Sequence, residues 1–131
     1  MRYLLALLLL TAHGTDNLTA FSSHVKTAGH RRGVTNIAVI RLDDGPTWSP
    51  GALAWAVYTP EYQRVFIRSS VLDKASPALI KYLAYHEVCH IHMTRIGRES
   101  TEANADTCAE GLFFSRNEWG RAITAFRYWR E

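Results

Sequence analysis

Proline and glycine are scarce in these 131 residues, four and eight respectively, and no segment repeats or is of low complexity. With 47% hydrophobic against 21% charged residues, a disordered or collagen-like chain is excluded and one packed core is expected. The length leaves room for a single domain. No run of like charge is present, and 15 basic against 12 acidic residues leave a formal charge of only +3. Such a mixed, weakly basic surface gives no electrostatic footprint for nucleic acid, so no nucleic-acid partner is expected. Cysteine is limited to Cys89 and Cys108, too few for a disulfide scaffold and without the C-x-x-C spacing of a metal knuckle. No apolar run approaches the roughly 20 residues a membrane helix requires, and no stable membrane span is expected.

The longest apolar run stands at the start. Met1-Arg2-Tyr3 precede Leu4 to Leu10, interrupted only by Ala6, and Ala12-His13-Gly14 place small residues at the two positions a signal peptidase reads. Residues 1–14 thus have the layout of a signal peptide, with residues 15–131 as the mature domain in a secreted or periplasmic setting. The alternative is a cytoplasmic chain whose apolar start belongs to the fold. In an oxidising compartment an even pair of cysteines closes, so a Cys89–Cys108 disulfide is one expectation and two buried free thiols the other.

Periodicity organises the remainder. Leu18, Phe21 and Val25 allow an amphipathic helix between Thr15 and Arg32. Val34 to Arg41 is β-branched and reads as a strand, ended by the turn signal Asp43-Asp44-Gly45-Pro46. Leu53 to Tyr58 and Arg64 to Arg68 alternate as the two strands of a hairpin, with Val65 and Ile67 inward. Ser76 then caps a helix that starts at Pro77 and ends near Gly97. Ser100 or Thr101 caps a second helix running to about Phe114, and Ser115 with Glu118 opens a third. The expected fold class is α+β, a three-stranded sheet followed by three helices.

The best-supported helix contains His86-Glu87-Val88-Cys89-His90, an H-E-x-x-H motif. Residues four apart share one helix face, so both imidazoles can meet one ion while Glu87 projects beside it as a base. Two histidines hold zinc poorly, and a third ligand is required. The metzincin pattern is excluded because Met93 and Ile96 occupy its glycine and histidine positions. His92 points away from the pair and reads as a surface residue or as an outer partner of the site. The next helix offers Glu102-Ala103-Asn104-Ala105-Asp106 (E-x-x-A-D), with both acids on one face.

Together these motifs resemble the gluzincin branch of zinc metallopeptidases, the thermolysin-like and related small zincins. The resemblance covers about half of the mature chain. It implies a small zincin-like domain with Zn2+ held by His86, His90 and Glu102, and with Asp106 orienting a ligating histidine. The separation of His90 from Glu102 is shorter than in the thermolysin-like pattern. A first helix reaching Ile96 favours Asp106 as the ligand, one ending near Met93 favours Glu102, and Glu99 or Glu110 are lesser candidates. The implied activity is hydrolysis of peptide or protein substrates by a metal-activated water, with Glu87 as general base. Tyr85, Tyr58, His92 and His24 are candidates to steady the oxyanion, and RVFIR (Arg64–Arg68) is a candidate edge strand for an extended substrate. The alternatives are a cytoplasmic regulatory metalloprotease and a binding module that zinc merely staples.

Overall fold

The computed structural model describes residues 13–43 and 51–129. Of the expected signal peptide only His13 and Gly14 fall within it, and they open the first helix; the turn residues Asp44-Gly45-Pro46 also lie outside the described residues. The described residues form a small α+β domain in the order α1 (His13–Arg32), β1 (Ile37–Leu42), β2 (Ala54–Tyr58), β3 (Gln63–Arg68), α2 (Ser69–Lys74), α3 (Pro77–Arg95), α4 (Glu102–Glu110) and α5 (Arg116–Arg127). The sheet and the three helices after it were expected, and two additions frame them. One is the long α1, which the polar segment before β1 only allowed; the other is the short α2, which continues straight from β3. Among the described residues no helix is long and apolar enough to cross a membrane.

The sheet order is β1-β3-β2, with β1 parallel and β2 antiparallel to β3. RVFIR is therefore the central strand and not an edge, which corrects its expected role as a docking strand. The reason lies in burial: Val65 and Ile67 are fully enclosed, whereas β1 and β2 retain exposed positions. The β2–β3 hairpin itself is present, closed at Thr59, whose amide donates to the Tyr62 carbonyl at 2.9 Å.

Helix α1 buries Phe21, Val25 and Ala28 and also turns Asn17 inward. The Asn17 amide donates to the carbonyls of Leu72 (2.7 Å) and Ala75 (3.2 Å), satisfying the end of α2. Helix α3 begins as expected: the Ser76 hydroxyl accepts the Leu79 amide and Pro77 occupies the first turn. It is not an ordinary amphipathic helix, because every residue from Tyr82 to Cys89 is buried. Helices α1, α4 and α5 and the sheet pack around it. Gly97 terminates the connection with φ +74, and the Arg98 amide returns to the Met93 carbonyl at 2.9 Å.

Helix α5 is fastened to α3 by the Lys81–Glu118 ion pair, and the Lys81 ammonium also lies over the rings of Tyr85 and Phe113. His24 of α1 stacks edgewise on Tyr85 in the same corner. Burial, and then the Lys81 charge, hold its pKa below the usual 6.5, against the opposing pull of Glu118. The folded state therefore binds this proton less well than the unfolded chain. The contribution of neutral His24 is complete above pH 6.5 and declines as pH falls below that value. Denaturation series in acid should show the wild type losing more stability between pH 7 and about pH 5 than His24→Gln.

At the α1–β1 turn, a Cβ on Gly29 would stand 2.4 Å from the Val34 carbonyl oxygen, backbone that cannot yield cheaply. Gly120, within α5, has open space around it. Gly29→Ala should cost about 2–3 kcal/mol and Gly120→Ala should gain about 0.5–1 kcal/mol, as read from urea unfolding midpoints.

Candidate metal centre

Full enclosure of α3 forces His86 and Glu87 into the interior, at 4% and 5% exposure. Buried polar groups demand partners, and those of His86 come from α4. Nδ1 of His86 lies 2.7 Å from Asp106 Oδ1, which accepts its proton. Nε2, on the inner side, faces a second carboxylate, so it either carries a proton of its own or turns its lone pair to an ion. Nε2 of His86 is 2.8 Å from Glu102 Oε2 and 3.0 Å from Nε2 of His90. His90 Nε2 is in turn 3.1 Å from Glu102 Oε1.

His90 is oriented by Ser100. The Ser100 hydroxyl donates to the His90 carbonyl at 3.2 Å, so it accepts the Nδ1 proton of the same residue at 2.7 Å. Both imidazoles thus have an outer partner, and their inner nitrogens converge on one point with a carboxylate. Groups that close need a cation among them, a proton or a metal ion. Tetrahedral zinc with bonds near 2.0–2.1 Å would hold its ligands about 3.3 Å apart, slightly wider than the 2.8–3.1 Å seen. The donor set fits a divalent ion.

His86, Glu87 and His90 offer atoms within 4.8 Å of one another, a group able to hold a metal ion. Glu87 differs from Glu102 in its contacts. Its Oε2 is buried without a hydrogen-bond partner, and the residue lines the same cleft as the two histidines. Burial, and then the Glu102 charge, push its pKa well above the usual carboxyl range. Burial and the neighbouring His86 lower the pKa of His90, partly offset by Glu102.

Helix α3 runs to Arg95, which by rise alone favoured Asp106, yet Glu102 is the acid at the two Nε2 atoms. The turn after Arg95 brings the first turn of α4 beside His86 and His90 and its second turn beside Tyr82, so Asp106 meets the outer nitrogen of His86 instead. Thr101 is the cap of α4, accepting the Asn104 amide, because Ser100 is engaged with His90.

Two contributors carried no sequence signal strong enough to single them out for the site: Ser100, and Tyr82, one turn before His86. The Tyr82 hydroxyl donates to Asp106 Oδ1 at 2.7 Å. Of the four residues considered for the oxyanion, only Tyr58 lines the cleft. Tyr85 and His24 pair with each other on another face, and His92 faces the end of α1.

Helix α4, which brings both acids, is held at its other end. Cys89 and Cys108 form a disulfide with a Cα–Cα distance of 5.9 Å. From the end of α1, Arg32 donates to the Cys108 carbonyl (2.9 Å) and Arg31 to that of Leu112 (2.7 Å). These guanidinium groups satisfy carbonyls at the negative end of α4.

Comparison with protein-family models, curated proteins and solved structures finds no match for this chain.

The disulfide closes a 19-residue separation. Replacing both cysteines by alanine should cost about 3 kcal/mol of stability, read by urea denaturation, and thiol titration of the unfolded, unreduced wild type should find no free thiol.

Proposed function

We propose that this protein is a zinc-dependent hydrolase of peptide bonds, related in its chemistry to the gluzincin metallopeptidases. The observation that carries this reading is the meeting of His86 Nε2, His90 Nε2 and the Glu102 carboxylate beside a buried Glu87 whose Oε2 has no hydrogen-bond partner. His86, His90 and Glu102 are assigned as the zinc ligands. Zinc bound there supplies a water acidified toward neutral pH and polarises a substrate carbonyl.

The remaining roles belong to the chain. Glu87, adjacent to the ligands and with its Oε2 unpartnered, takes the water's proton and delivers it to the leaving amine. A structural zinc site has no use for such a carboxyl, which favours catalysis over a stapled binding module. Asp106 and Ser100 hold the two imidazoles with their lone pairs inward.

The cleft, of about 510 Å³, runs between α3 and β2 and is walled by Leu53, Ala54, Trp55, Ala56 and Phe126. Among the described residues β2 pairs only with β3, which leaves its outer edge open to an added strand. An extended peptide adding to that edge would pass over Glu87, a role the sequence reading had given to RVFIR. The substrate is therefore taken to be a peptide or unfolded protein segment with apolar side chains. The Cys89–Cys108 bond supports an exported, oxidising setting over a cytoplasmic one.

Zinc content and hydrolysis of a generic peptide test these assignments together. Glu87→Gln should retain zinc and lose about 10²–10⁴-fold in rate. Glu102→Ala should lose both zinc and activity, and a chelator should silence the wild type reversibly. Hydrolysis that survives Glu87→Gln would remove the assigned base, and a zinc-loaded wild type inert toward every peptide would leave the binding module.

A further inference from the structure

We propose that Tyr82 is a positioning residue of the metal centre, acting through Asp106 to keep His86 in the tautomer and orientation that present Nε2. The inference rests on the zinc reading above and concerns how this chain holds the ligand.

Asp106 is the weak point of the arrangement. Its side chain is about one-third exposed (35%) and stands on a nine-residue helix whose buried residues are Ala105, Cys108 and Ala109. Left to itself, such a carboxylate can rotate toward water and release the His86 Nδ1 proton. Tyr82 supplies a fixed point. Its ring is 2% exposed and packs against Phe126 (4.9 Å between centroids) and Trp119 (5.7 Å), so its hydroxyl cannot turn to solvent without unpacking α5.

That hydroxyl has one proton and gives it to Asp106 Oδ1 at 2.7 Å, the oxygen that also accepts from His86 Nδ1 at 2.7 Å. The direct Tyr82–His86 separation, 3.4 Å to Nδ1, is too long to compete. The phenol therefore holds the carboxylate in place and leaves the imidazole proton nowhere else to go. Because Tyr82 is one turn before His86 on α3, the three groups form a closed triangle across α3 and α4. Its influence on the ion passes through two hydrogen bonds, although Tyr82 also lines the cleft.

Zinc affinity, measured with zinc chloride against a chromophoric chelator, tests the chain of contacts in the wild type, Tyr82→Phe, Asp106→Ala and the double variant. Phenylalanine keeps the packed ring and removes only the donor. Outer partners of zinc ligands are worth about 10–100-fold in affinity, and Tyr82→Phe should show about a tenfold loss. In the Asp106→Ala background the same change should have no further effect. Zinc-free Tyr82→Phe should unfold at a somewhat lower midpoint than the wild type, having lost a buried hydrogen bond, and a merely structural role would not make the affinity loss depend on the presence of Asp106.

Unchanged affinity in Tyr82→Phe, or an equal loss in both backgrounds, would overturn the proposal while leaving the zinc reading intact. A wild type that binds no zinc would overturn both.

Discussion

Everything at the cleft depends on how two imidazoles are held. Asp106 engages the outer nitrogen of His86 and Ser100 that of His90, and the two Nε2 atoms are left 3.0 Å apart. In water such an approach would relax by rotation. Here it is enforced, because His86 is enclosed on a helix that α1, α4, α5 and the sheet surround. The low polarisability of that interior raises the electrostatic cost of the juxtaposition, and a cation relieves it. The same enclosure raises the proton affinity of Glu87, the property a proton-shuttling carboxyl requires.

The acids of α4 do not reach the histidines by their own helix's packing alone. A nine-residue helix with three buried residues has little apolar area to fix its angle. Its far end is bonded to α3 through sulfur and to α1 through two guanidinium groups. Helix α3 returns the service, with Arg95 donating to the Gly33 carbonyl at 2.6 Å. Three of the fifteen basic residues, Arg31, Arg32 and Arg95, are thus occupied with backbone carbonyls in this corner.

Local chemistry was legible in the sequence wherever one residue decides the outcome. Ser76-Pro77, Gly97 and Ser115 mark helix boundaries through capping and backbone freedom, and each acts as read. The H-E-x-x-H spacing places its histidines on one face because the helix period does so regardless of tertiary context. What was not legible is what depends on the crossing of elements. Whether Glu102 or Asp106 meets Nε2 turns on how the connection after Arg95 redirects α4, and rise per residue carries no such information. The central place of β3 comes from a crossover between β1 and β2, whereas alternation reports only which side chains point inward. Asn17 and Ser100 look like ordinary helix-surface and capping residues until partners distant in the chain, or across a turn, are brought to them.

The bond between Cys89 and Cys108 makes the anchorage of α4 sensitive to redox state. Reduction would leave the far end of the helix that carries Glu102 and Asp106 to its packing and to the contacts from Arg31 and Arg32. How firmly two carboxylates are presented to the imidazoles is thus tied to the oxidation state of two sulfurs at the opposite end of the same helix.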